Sequence, residues 1–126
     1  MKILFLGPPG AGKGIISQRL SKILNIKHLS MGDLVRDEIN SESEIGKQIK
    51  KYHDSGGLVP DETVLEILKP HLKGSFILEG FPRRLEQAKM LDSLIKLNFI
   101  FQLDCKKEIL IERTSTRRIC SKCGAI

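Results

Sequence analysis

Gly7-Pro8-Pro9-Gly10-Ala11-Gly12-Lys13-Gly14 decides the reading of this chain. Ahead of it stands Ile3-Leu4-Phe5-Leu6, an apolar run of strand length. Behind it, Ile16, Leu20, Ile23 and Leu24 recur at helical spacing. Strand, glycine-rich turn, lysine and helix form the context that a phosphate-binding P-loop requires. Glycines let backbone N–H groups converge on an anion, and the helix N-terminus adds the positive end of its dipole. Lys13 supplies a mobile point charge for terminal phosphates. The stretch therefore predicts a nucleoside polyphosphate as ligand. One position departs from the general pattern: a Ser or Thr after the lysine meets magnesium, but here Gly14 and Ile15 follow.

Outward from the loop, apolar runs alternate with helical patterns. Strands are expected at residues 2–6, at Lys27-His28-Leu29, at Phe76-Ile77-Leu78 and at Phe99 to Leu103. Between them, Leu65, Leu68 and Leu72, then Leu85, Ala88, Leu91 and Ile95, fall at helical spacing. Pro60-Asp61-Glu62 reads as a helix entrance, with acids near the positive dipole end. This alternation predicts an α/β fold, a three-layer sandwich whose parallel sheet is flanked by helices. Residues 1–29 and 71–117 would form the core, and 30–70 a helical insertion beside it. Residues 118–126 change character, with Cys120 and Cys123 spaced like a metal knuckle. No internal repeat or low-complexity tract interrupts this pattern.

Composition narrows the ligand. The 126 residues suit one domain, and their hydrophobic content of 40% is that of a folded globular chain. The net charge of +6 fits a phosphate-rich ligand, or nonspecific nucleic-acid contact. One Tyr and no Trp leave few base-stacking platforms, which favours the first. The N-terminal apolar run is too short for a signal peptide, and no stretch is long enough to span a membrane. The chain is expected to be cytoplasmic, and three cysteines in such a chain argue against a disulfide framework.

A second motif, Glu79-Gly80-Phe81-Pro82-Arg83, closes the third predicted strand. Ligands of open parallel sheets sit at such strand ends, and an arginine there can hold phosphate bidentately. Taken with Ser30-Met31-Gly32-Asp33, Leu34, Arg36, Gly57 to Glu62, Gln87, Glu112-Arg113 and Arg117-Arg118, these segments have a family order and spacing. The chain resembles the adenylate kinases, of the nucleoside monophosphate kinase family, from end to end.

The resemblance implies roles. Gly10, Ala11, Gly12, Lys13, Gly14 and Ile15 would hold the phosphates of ATP, which brings Mg2+ with it. Arg36 and Arg83 would hold the phosphate of AMP. Met31, Gly57, Leu58, Val59, Gly80 and Gln87 would line the AMP site. Arg113 would lie near the ATP adenine and phosphates, and Arg117 at the transferring phosphoryl group. Lys13, Arg83, Arg113 and Arg117 would thus be catalytic. Residues 30–70 would be the mobile AMP-binding domain. Such transfer needs positioning and dispersed positive charge rather than a strong base. Asp33, Glu79 and Asp104 are carboxylates that would orient water on magnesium, or else cap helices and pair with arginines.

The chain also departs from the family. Thr is usual where Ile15 stands, and frequent where Met31 stands. Cys120 and Cys123 resemble half of a zinc-holding lid, and structural zinc needs four ligands. Zn2+ is therefore expected only with a complete lid. Family members continue beyond the position of Ile126, so the chain reads as an N-terminal part lacking most of the lid and a last strand. A natural short nucleotide-binding protein is the alternative. The intact kinase would be a monomer, and an unpaired sheet edge in the shorter chain would invite association. The expected reaction is ATP + AMP = 2 ADP; a kinase for another nucleoside monophosphate and a catalytically impaired nucleotide-binding fragment are the competing readings.

Overall fold

Residues 1–123 are described by the computed structural model; the last three positions of the 118–126 stretch lie outside the described residues. The elements run β1 (Lys2–Leu6), α1 (Lys13–Leu24), β2 (Lys27–Ser30), α2 (Met31–Asn40), α3 (Glu44–Asp54), α4 (Asp61–Leu68), a 3-10 turn (Lys69–His71), β3 (Phe76–Glu79), α5 (Leu85–Leu94), β4 (Phe99–Gln102) and α6 (Lys107–Ser115). The strands form one sheet in the order β2-β3-β1-β4. All three pairings are parallel. The α/β architecture expected from the alternating pattern is the one observed.

Register explains which side chains meet. Leu29, Leu78 and Leu4 are paired across β2, β3 and β1, and share one face of the sheet. They join Ile49, Leu65, Leu68, Phe76, Leu91 and Ile95 in the larger apolar cluster, so α3, α4 and α5 cover that face. Ile3 and Phe5 alternate to the other face, with Ile77, and pack against Leu20 of α1. Phe76, Ile77 and Leu78 are completely buried. Burying a side chain of this size contributes roughly 1.5–3 kcal/mol. The same period of two sends His28 and Glu79, the partners of Ile77 and Phe5, to the α1 face.

The helices follow local chemistry. Ser30 caps α2 by accepting from the Asp33 N–H, and Ser43 caps α3 by accepting from the Gly46 N–H. Such caps contribute about 1 kcal/mol each. Pro70 has no N–H to continue α4, so the chain tightens into the 3-10 turn after Leu68. Leu72, expected on the same helix, lies beyond this turn but is still buried.

Helix α1 turns an unexpected face to the sheet. Its buried positions are Ser17 and Ser21, whereas Ile23 is 78% exposed and Ile16 and Leu24 are also exposed. Small side chains let the helix approach closely, and the Ser17 and Ser21 hydroxyls are satisfied by carbonyls of their own helix. At the other extreme, β4 is paired only with β1 among the described residues, and Phe99, Ile100 and Phe101 are exposed.

Candidate active site

The turn after β1 is built by glycine. Gly10 and Gly12 have φ of 87° and 96°, a region costly for other residues. A Cβ on Gly7 would lie 2.8 Å from the Leu103 carbonyl oxygen, so β1 and the segment after β4 approach at backbone distance. Gly12 precedes α1 without any side-chain cap. The first-turn N–H groups of α1 therefore have no side chain covering them, and their dipole favours an anion. Lys13 opens the helix, and its Nζ donates to the carbonyls of Gly7 at 2.7 Å and Pro8 at 2.9 Å. The ammonium thus curls over the loop.

Positive charge gathers at this point. Burial is the main force lowering the Lys13 pKa below its ordinary 10.5. Glu79 opposes that shift, and Arg83 and Arg117 add to it by repulsion. Arg113 donates through Nη1 to the Gly10 carbonyl at 3.0 Å. A Cβ on Gly10 would touch Thr114 at 3.3 Å, so α6 is packed on the loop. Lysine, loop backbone and arginines from the segment after β3, from α6 and from just beyond α6 converge, although they are far apart in sequence. A polyanion neutralises that repulsion.

This geometry sets a pH dependence. Phosphate oxygens favour the charged lysine, whereas the empty site disfavours it. ATP affinity should be flat below the Lys13 pKa of the empty site. It should fall by at most about tenfold per pH unit as pH rises through that value, which lies below 10.5. Calorimetry across pH 7 to 10 in buffers of different ionisation enthalpy would detect the proton taken up on binding. Lys13→Arg, which stays charged, should flatten the profile; an equally steep profile would point to another group.

A family model described as adenylate kinase matches residues 5–120 of the chain. The chain belongs to the adenylate kinase family. Among curated relatives, it is 44% identical to the adenylate kinase of Caldicellulosiruptor bescii, the match covering 99% of this chain and 63% of the relative. It is 43% identical to the adenylate kinase of Thermosipho africanus, over 100% of this chain and 64% of the relative. The adenylate kinase of Borrelia turicatae is 45% identical, over 100% of this chain and 62% of its own length. The chain thus spans less than two thirds of the length of these adenylate kinases.

Of the remaining residues singled out by the adenylate kinase resemblance, most fall from α2 to α5, while Ile15 lies in α1, Asp104 after β4 and Arg118 after α6. Met31 begins α2 and is buried in the larger cluster, and a Cβ on Gly80 would lie 3.3 Å from its Cβ. Arg36 is ion-paired with Asp33 one turn away, so Asp33 is an arginine partner. Gly57 and Leu58 are exposed, with Leu58 at 85%, while Val59 packs against the core. Ile15 is exposed beside the loop. Arg83 donates through Nε to the Gly80 carbonyl at 3.0 Å, and its backbone N–H donates to Gln87 Oε1 at 2.8 Å. Asp104 accepts from the Cys105 N–H at 2.8 Å. Arg118 is exposed and donates only to the Arg117 carbonyl.

Two clusters escaped the motif reading. His28 Nε2 lies 2.9 Å from Ser17 Oγ and 3.8 Å from Glu79 Oε1. Ser17 commits its hydroxyl hydrogen to the Lys13 carbonyl at 2.5 Å. It must therefore accept from His28, which places the imidazole hydrogen on Nε2. The relay ties β2 to the first turn of α1, and Glu79 lies 3.8 Å from where a Cβ on Gly14 would sit. In the second cluster, Asp61 Oδ1 accepts from Gln87 Nε2 at 2.9 Å and is ion-paired with Arg84. The Gln87 hydrogen bond first, then that of Arg84, holds the Asp61 carboxyl below its ordinary 3.8. The strand register could have signalled the first cluster; nothing in the sequence pairs Asp61 with Gln87.

Cys120 and Cys123 are exposed and free. Backbone N–H groups of Cys123 and Lys122 hold the Cys120 thiol below its ordinary value. Two thiols fill half of a tetrahedral zinc shell. No group of three or more metal-binding side chains occurs among the described residues. No described helix is long and apolar enough to cross a membrane.

Proposed function

We propose that this chain carries the nucleotide-binding core of an adenylate kinase, for the reaction ATP + AMP = 2 ADP, with Mg2+ arriving as the ATP complex. The convergence of Lys13, Arg83 and Arg117 carries the reading. ATP phosphates would lie over Gly10 to Ile15, with Lys13 turning from the loop carbonyls to a phosphate oxygen. Arg36 and Arg83 would hold the phosphate of AMP, Arg36 leaving its pairing with Asp33. Arg113 already fixes the loop through Gly10, and would face the ATP side. Arg117 would spread positive charge over the transferring group. The acceptor is itself a phosphate oxyanion, so no side chain needs to remove a proton. Glu79, with Oε1 3.8 Å from where a Cβ on Gly14 would sit, would orient water around magnesium. The three helices between β2 and β3 would form the AMP-binding domain, closing over both nucleotides to exclude water. A cytoplasmic monomer with ATP and AMP as its partners, and without nucleic acid, suits the whole kinase.

A coupled assay for ADP formation tests this directly. Turnover with another monophosphate but not AMP would shift the substrate to a sister kinase. No turnover with any of them would leave a nucleotide-binding module. Binding of a bisubstrate analogue then separates such a module from a chain without a site. Ile15 gives a second test. Ile15→Thr should raise magnesium-dependent turnover or ATP affinity by about tenfold, the worth of one good hydrogen bond. An unchanged value would show that a water or another group fills this role.

A further inference from the structure

The first turn of α4 and the start of α5 meet at one carboxylate. Asp61 and Gln87 are separated by 26 positions in sequence, yet Gln87 Nε2 donates to Asp61 Oδ1 at 2.9 Å. Gln87 is nearly buried, and its Oε1 accepts from the Arg83 backbone N–H at 2.8 Å. Arg84 is paired to the same Asp61 oxygen.

These contacts fix the amide's polarity. An ionised carboxylate only accepts, and a backbone N–H only donates. The Gln87 oxygen must therefore face Arg83 and its nitrogen must face Asp61. A flipped amide would set oxygen against carboxylate and N–H against N–H. One N–H and one oxygen lone pair stay uncommitted on Gln87, in a fixed order. A carboxamide in fixed order reads a base edge: donor and acceptor match the ring nitrogen and 6-amino group of adenine, and mismatch the protonated ring nitrogen and 6-oxo group of hypoxanthine.

We propose that Asp61 is a positioning residue for base selection: by locking the Gln87 amide, it sets the preference for a 6-amino over a 6-oxo purine monophosphate. This rests on the functional reading above and on the family resemblance, which implies that Gln87 lines the AMP site. The lock also holds the Arg83 backbone, so base and phosphate recognition share one support.

The test measures AMP and IMP binding by calorimetry, with ATP as control. Asp61→Asn replaces the obligate acceptor by an amide that can face Gln87 either way. The preference for AMP over IMP should fall about tenfold, with ATP affinity unchanged. Asp61→Glu, which keeps the carboxylate, should recover part of it. Arg84→Met breaks the ion pair but leaves the lock; it should lower stability without changing the AMP to IMP ratio. A wild-type ratio in Asp61→Asn, or an equal loss in Arg84→Met, would reduce Asp61 to a clamp between helices and overturn the proposal. Side-chain amide NMR reads the lock without nucleotide: the hydrogen-bonded Gln87 NH2 proton should be shifted downfield and slow to exchange with solvent in the wild type, and should move toward free-amide values and exchange faster in Asp61→Asn. A locked amide in a wild type that binds neither monophosphate would overturn the functional reading and its specificity role together. An unlocked wild-type amide would overturn this inference alone.

Discussion

Replacing Lys13 with alanine is expected to lower ATP affinity by about 100-fold while moving the unfolding midpoint little. Hydrogen bonds from a charged donor contribute about 1.5–3 kcal/mol each, and about 3 kcal/mol corresponds to that factor. The loss is large because Lys13 is already partly desolvated, with Arg83 and Arg117 nearby. Part of the cost of removing the ammonium from water is therefore met in the empty protein, and phosphate gains the charge interaction less the two loop-carbonyl bonds that Lys13 gives up. Stability changes little because the ammonium's partners are two loop carbonyls, one of them exposed, that water can reach. Calorimetric titration with ATP, beside thermal unfolding, separates the two effects. Affinity kept within a few-fold would move the phosphate site away from this loop.

The second large effect falls on a residue outside the nucleotide machinery. Gly46→Ala should destabilise the α2–α3 pair by about 3 kcal/mol or more, the upper range for overpacking. A Cβ there would lie 2.0 Å from the Glu38 carbonyl oxygen and 2.5 Å from its carbon. Those are backbone atoms of α2, so no side chain can move aside. The two helices would have to separate, exposing Ile49, which is fully buried at this seam. Ser43 would also be strained, because its hydroxyl both caps Gly46 and bonds Glu38. Hydrogen exchange should show α2 and α3 losing protection while β1 and β3 keep theirs. Urea unfolding at the wild-type midpoint would show that the helices can slide apart at no cost.

The contrast between these residues marks what was readable in advance. Lys13 announced itself because strand, glycine turn and helix are each local signals and agree. The strands were visible because continuous apolar runs are what a doubly covered parallel sheet demands. Gly46 gave no signal, since its need for a bare Cα arises from a helix it meets only after folding. The inner face of α1 was similarly hidden: apolar periodicity pointed to Ile16 and Ile23, but close approach to the sheet selected Ser17 and Ser21. In the site, the arginines came from family spacing. Asp61 looked like an ordinary helix-entrance acid, and only the fold brings Gln87 and Arg84 to it.

Arg113 holds the Gly10 carbonyl across 103 positions of sequence, and Gly7 nearly touches the backbone at Leu103. During synthesis the glycine loop thus emerges well before the segments that complete it. Until α6 leaves the ribosome, Gly10 lacks the surface it packs on, and Lys13 stands on an unsupported turn. The turn's final shape therefore waits on contacts made 103 positions downstream, so it forms by long-range assembly rather than as a local turn.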